Sequence, residues 1–155
     1  NNIFKKHPED KMFEELNYED LDEVMERIRG TDAKETNVII FDDQSAYLKN
    51  KETLRLFKEL IFNRRHLRTS IYFLNQTFFS VPKELRRLFS NIFVFKVSRN
   101  EMKNLFEEVV EQDHVKELMP QISKLVFDKP YQYLFINTDS QKFYKGFDRI
   151  DFAED

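Results

Sequence analysis

The sequence predicts an α/β fold, a mostly parallel sheet flanked by helices and followed by a C-terminal hairpin. Two observations carry this. Short apolar runs at residues 38–41, 69–74 and 91–97 alternate with stretches whose apolar residues recur every three or four positions. The runs are rich in Val, Ile, Phe and Leu and are too short for helices. At 155 residues with 41% hydrophobic content, the chain has the size of one domain able to bury a core, and residues 1–155 are read as a single domain.

The elements follow in order. Residues 9–29 have a helical pattern through Leu16, Leu21, Val24, Met25 and Ile28, with Asn17 as an N-cap, Asp20 three positions on, and Gly30 as the stop. The next run, residues 38–41, is wholly apolar and β-branched, as expected of a strand buried on both faces. Residues 52–64 form an amphipathic helix through Leu54, Phe57, Leu60 and Ile61. The strand at 69–74 runs into Asn75 and Gln76, and Pro82 opens a short helix. After the strand at 91–97, Ser98-x-x-Glu101 is a capping box for a helix over 100–111. Pro120 should kink or split the helical stretch 113–126. YQYLFIN and QKFYKGF, around Thr138, Asp139 and Ser140, predict a β-hairpin. The many Phe residues at these spacings are expected to be core.

Composition narrows the function. There is no Cys, so neither a disulfide framework nor a Cys-ligated zinc site exists in these residues. His7, His66 and His114 are too far apart in sequence to suggest a metal site. No apolar run approaches the ~20 residues of a membrane span. The net charge of −3 hides an asymmetry, because residues 49–87 carry 10 basic and 3 acidic groups. That segment is either a solvated helical face or a surface for phosphates.

The chemistry-bearing stretch is NVIIFDDQ, residues 37–44. Four apolar residues ending in two acids form a Walker-B-like pattern, and ligands of open α/β sheets bind beyond the carboxyl ends of the strands. On this reading Asp42 holds a hydrated Mg²⁺ and Asp43 orients an attacking water, for which a carboxylate is a suitable acceptor. Gln76, at the end of the next apolar strand, would sense a terminal phosphate or position the same water. The same two acids also suit a simple turn or helix cap. In NRRHLRTS, residues 63–70, and again in PKELRRLF, arginines could reach a neighbouring subunit's nucleotide or merely complement helix ends. Arg65, Arg68 and Arg86 are the candidate arginine fingers; Arg64, Arg87 and Phe78 are candidate DNA contacts.

The segment NVIIFDDQ…NRRHLRTSIYFLNQTFFSVPKELRRLFSNIFVFK resembles the C-terminal half of the poxvirus-type DNA-packaging ATPases of large DNA viruses and virophages, in the FtsK–HerA group of P-loop motors. The likeness runs from about residue 37 to 97 and rests on the double acid, the Arg65-His66 pair, Gln76, and a Pro and Arg before the third strand. It implies ATP and Mg²⁺ as cofactors, with Asp42 on the metal, Asp43 on the water and Gln76 as sensor. It also implies double-stranded DNA and capsid or portal-like vertex proteins as partners, a homo-oligomeric ring, and residence in the host cytoplasm (a viral factory) or the virion. The implied fold is a partial P-loop sheet of the ASCE type, with residues 37–97 spanning Walker B to sensor and 98–155 forming a helical and hairpin extension.

One departure matters. The family carries a G-x-x-x-x-G-K-[ST] loop upstream, whose backbone amides cradle phosphates. Here the only glycines are Gly30 and Gly146, and neither fits. In the family's sheet the P-loop strand lies between those equivalent to residues 69–74 and 91–97, so these two should each be left with an open edge. The polar start at Asn1 and Asn2 suggests a fragment of a longer ATPase, inactive alone. Two other readings stand beside the motor: a degenerate, non-catalytic DNA- or capsid-binding module, and a metal-dependent nuclease built on Asp42, Asp43 and a third acid.

Overall fold

A computed structural model describes residues 6–152; Asn1 and Asn2 lie outside them. The chain divides into two compact units, 1–85 and 86–155.

In the first unit, Glu9–Lys11 is a single 3-10 turn, and helix α1 (Tyr18–Arg29) begins only after Asn17. The expected helix over 9–29 is therefore shorter. Asn17 accepts from the Asp20 amide, which starts the helix at that cap. Strand β1 (Asn37–Asp42) is followed by a 3-10 segment, Ser45–Lys49, and helix α2 (Lys51–Asn63), capped by Asn50. Strand β2 (Thr69–Leu74) pairs with β1 in parallel, Asn37 opposite Thr69 through Asp42 opposite Leu74. Phe41 and Phe73 point to the helical side, where both rings meet the buried Phe57 of α2 at 4.8 and 5.6 Å. Leu56, Leu60 and Ile61 of α2 and Leu21, Met25 and Ile28 of α1 complete the core. An Arg29–Glu59 pair at 3.1 Å ties the two helices at the surface.

The opposite face of β1–β2 is uncovered. Val38 is 62% exposed, and Ile40, Tyr72 and Leu74 are exposed with it. The expectation that this strand is buried on both faces is corrected: the unit packs helices on one side only.

A short helix α3 (Lys83–Arg86) leads into the second unit. Its sheet has the order β3-β4-β5-β6, antiparallel throughout, with β3 (Asn91–Phe95), β4 (Tyr133–Asn137), β5 (Lys142–Lys145) and β6 (Asp148–Ile150). The hairpin β4–β5 falls where the turn residues predict, and β6 follows through Gly146, whose φ of +60° suits glycine. Helix α4 (Arg99–Val109) starts at Ser98, which accepts from the Glu101 amide. The stretch 113–126 splits into α5 (Asp113–Glu117) and α6 (Met119–Val126), with Pro120 in the first turn of α6, where a missing N–H costs nothing. Val94, Leu134, Ile136 and Phe143 face the core with Met102, Leu105, Phe106, Val115, Ile122 and Val126.

The fold is thus α/β, but the sheet is not mostly parallel. The described residues form a parallel pair, β1–β2, in the first unit and a four-stranded antiparallel sheet in the second, where β3 takes the hairpin β4–β5 as its partner. Strands β2 and β3 do not pair, and each lies at an edge of its own sheet. The expectation that the Phe residues at strand and helix spacing are core also fails in part. Phe93, Phe95 and Phe147 lie on the uncovered side of the antiparallel sheet, a side that such sheets can leave to solvent.

Candidate functional site

The acid turn sits at the carboxyl end of β1. Asp42 is the last strand residue, and its exposed carboxylate makes no hydrogen bond among the described residues. Asp43 leaves the strand at φ +54°, a left-handed conformation that Asp tolerates better than most residues. The ladder nevertheless reaches it, since its N–H donates to the Leu74 carbonyl at 2.9 Å. Gln76 follows β2 by two residues, and its Nε2 donates to Asp43 Oδ2 at 2.7 Å. The parallel register thus brings Asp42, Asp43 and Gln76 to one rim, as their strand-end positions require.

Sequence reasoning missed Gln44. Its Oε1 accepts from the Leu16 amide at 2.8 Å, and its Nε2 donates to the Asp42 carbonyl at 3.0 Å. Nearby, a hydrogen bond to Glu15, and then burial, raise the Tyr47 phenol above its ordinary pKa. Both contacts tie the acid turn to the segment just before α1. The only sequence signal was a long amide directly after the acids, and its partner 28 residues away is invisible without the fold.

The arginines do not join this rim. Arg64, Arg65 and Arg68 precede β2 at the amino end of the sheet, the length of six strand residues away, or roughly 20 Å. Arg68 has φ +48° and is committed to the loop after α1, donating to the Glu35 and Asp32 carbonyls. Arg64 donates to the Ile61 carbonyl. Arg65 is exposed and makes no side-chain bond among the described residues. Arg86, in the second unit, is only 8% exposed, and its Nε and Nη2 grip both oxygens of Glu108 at 2.8 Å. In this conformation its guanidinium is held inside its own unit. Arg87 is exposed. Phe78 is half-buried and packs edge-on against Phe79, 5.2 Å between centroids.

A single free carboxylate at a strand end suits Mg²⁺, which takes one or two protein carboxylates and fills its remaining positions with water and phosphate oxygens. Asp42 fits that role. Phosphates find no cradle in these residues: Gly30 closes α1 with ordinary helical angles, and Gly146 lies in the β5–β6 turn. Among the described residues no group of three or more His, Asp or Glu is placed to hold a metal, so the third acid that the nuclease reading needs does not appear there. Among them, too, no helix is long and apolar enough to cross a membrane.

No curated protein and no solved structure matches the chain. A family model does, that of the poxvirus A32 protein, over residues 9–151. That span takes in both units, the acid turn and Gln76, and the chain accordingly belongs to the poxvirus A32 family of viral DNA-packaging ATPases.

Proposed function

We propose that this chain forms the Walker-B-to-sensor part of an ATP-driven motor that moves double-stranded DNA into a viral capsid. The observation that carries the reading is the Asp43–Gln76 hydrogen bond, which links the ends of adjacent parallel strands. In this reading Asp42 would hold Mg²⁺, and the bound Mg²⁺–nucleotide would supply charge neutralisation at the terminal phosphate. Asp43 accepts a hydrogen bond from water and aims its lone pair. Gln76 holds the Asp43 carboxylate in place and, being an amide, can exchange that partner for a phosphate oxygen or the same water. Such a carboxylate is worth about 10²–10⁴ in rate. Arg65, exposed at the far end of the sheet, would serve a head-to-tail neighbour in a ring rather than its own subunit's acids. We extend the proposal to a homo-oligomeric ring, capsid-vertex partners, and work in the host cytoplasm or the virion.

The test is Asp43→Asn in the protein that also carries a phosphate loop, read by DNA-stimulated ATP hydrolysis. The expected result is a loss of at least about 10²-fold with DNA binding retained. Unchanged hydrolysis would end the motor reading. A non-catalytic binding module is the second reading, favoured by the basic segment 49–87 with its 10 basic and 3 acidic groups. Its signature would be DNA binding that falls steeply with salt and ignores nucleotide.

A further inference from the structure

We infer that Gln44 is a positioning residue, which sets the geometry of the acid turn and through it the Asp43–Gln76 pair. The inference rests on reading Asp42 and Asp43 as the working carboxylates, but its geometry is independent of turnover. From residue 44, the amide nitrogen reaches back to the carbonyl of residue 42 at 3.0 Å. The bond therefore closes a small loop around Asp43, the one residue of the turn at positive φ. A left-handed residue persists where its surroundings over-determine it. Here the fixing groups are the Gln44 amide on one side and the Leu74 carbonyl, which receives the Asp43 N–H, on the other.

The other end of the Gln44 side chain is anchored as well. Its oxygen takes the amide proton of Leu16, whose own side chain is buried and which directly precedes the Asn17 cap of α1. The acid turn is thus fastened to a helix start rather than left as a free loop. Only a neutral carboxamide does both jobs at this length. Glu would accept from Leu16 but face the Asp42 carbonyl with a second acceptor. Leu and Met would do neither.

The experiment uses the ¹⁵N-labelled chain in three forms: wild type, Gln44→Ala and Gln44→Glu. It reads amide hydrogen exchange and the side-chain NH₂ signals of Gln76. Gln44→Ala should speed exchange at both Leu16 and Asp43 about tenfold, the factor for losing one net hydrogen bond. It should also move the Gln76 signals toward those of a free carboxamide, while Phe57 and Leu60 in α2 exchange as before. Gln44→Glu separates the two ends: Leu16 stays protected and Asp43 does not. If Asp43 and Gln76 are unmoved in both variants, Gln44 merely staples the 15–16 segment and the inference is overturned. Should Gln44→Ala prove poorly folded, the Gln44→Glu contrast decides alone. No nucleotide enters these readouts, so a failure here is distinct from a failure of the Asp43→Asn hydrolysis test.

Discussion

Gln76 Nε2 and Asp43 Oδ2 lie 2.7 Å apart, so an amide at the end of one strand holds a carboxylate at the end of its neighbour. The arrangement depends on the amide. Gln76→Glu would set two carboxylates against each other and remove the donated proton that joins them. In the wild type the Gln76 side-chain NH₂ signals should lie away from those of a free carboxamide, and Asp43→Ala should return them there. Signals that Asp43→Ala leaves unmoved would mean the side chains do not meet in solution. Gln76→Ala, at an exposed position, should change stability by no more than about 0.5 kcal/mol.

The Arg86–Glu108 pair makes the opposite kind of demand. Both side chains are nearly buried, and the contact is bidentate. Truncating either partner strands a charge, so Glu108→Ala or Arg86→Ala should cost about 3–5 kcal/mol in urea unfolding. Arg86→Lys should fail to restore it, since an ammonium cannot make the two-pronged contact. The joint replacement Arg86→Met with Glu108→Leu should be far milder than either truncation. Were Arg86→Ala to leave stability unchanged and abolish hydrolysis in a phosphate-loop-bearing protein, Arg86 would be a finger after all.

Helix α2 carries an internal control. Phe57 is fully buried against the rings of Phe41 and Phe73, whereas Phe62, five residues on, is largely exposed. Phe57→Ala should destabilise by about 3–5 kcal/mol, the cost of a large core truncation. Phe62→Ala should stay within about 0.5 kcal/mol. Equal effects in denaturant melts would contradict the face assignment of α2.

Lys145 fastens β5 to the end of α6, donating to Asp128 Oδ1 at 2.7 Å and to the Leu125 carbonyl at 3.0 Å. The hydrogen bond from Lys145, more than the neighbouring charges, holds the Asp128 carboxyl below its ordinary pKa. A carboxyl depressed in the folded state adds stability above its unfolded pKa and loses it as pH falls through the folded one. Asp128→Asn should therefore flatten the acid limb of a stability–pH curve and leave the neutral-to-basic limb parallel to wild type. An acid limb as steep as wild type's would show that the ion pair is not populated in solution.

What the sequence made legible was local. The strand runs at 38–41 and 69–74, the Asn17 and Ser98 caps, the break at Pro120 and the 138–140 turn each rest on a few adjacent residues with strong preferences. The rim position of Asp42, Asp43 and Gln76 was legible too, because parallel strands put their ends together. What failed was partner choice. A run such as NIFVF reads the same whether both faces are covered or one, and only pairing with β4 shows that Phe93 and Phe95 look outward. The Arg86–Glu108 and Gln44–Leu16 contacts span 22 and 28 residues and have no local signature.

That outward face of the antiparallel sheet yields the last prediction. Phe93, Phe135 and Tyr144 stand in register across three strands, the first two rings stacked at 4.7 Å and the second two at 5.0 Å. Phe95 and Phe147 flank Tyr133 beside them, 5.7 and 6.0 Å from its ring, and Phe95 is 60% exposed. At roughly 200 Å² per ring, even partial exposure of these six makes a patch of several hundred Å², the upper range for a monomer. Such a surface should bind an apolar fluorescent dye under native conditions and promote association at high protein concentration. Phe95→Lys, on the edge strand β3, should weaken both while leaving the urea midpoint unchanged, because its ring is not part of the buried core. A lysine at the edge also blocks strand-to-strand pairing. Sedimentation and dye titration of the two proteins, side by side, decide it: identical curves would mean the rings are covered in solution.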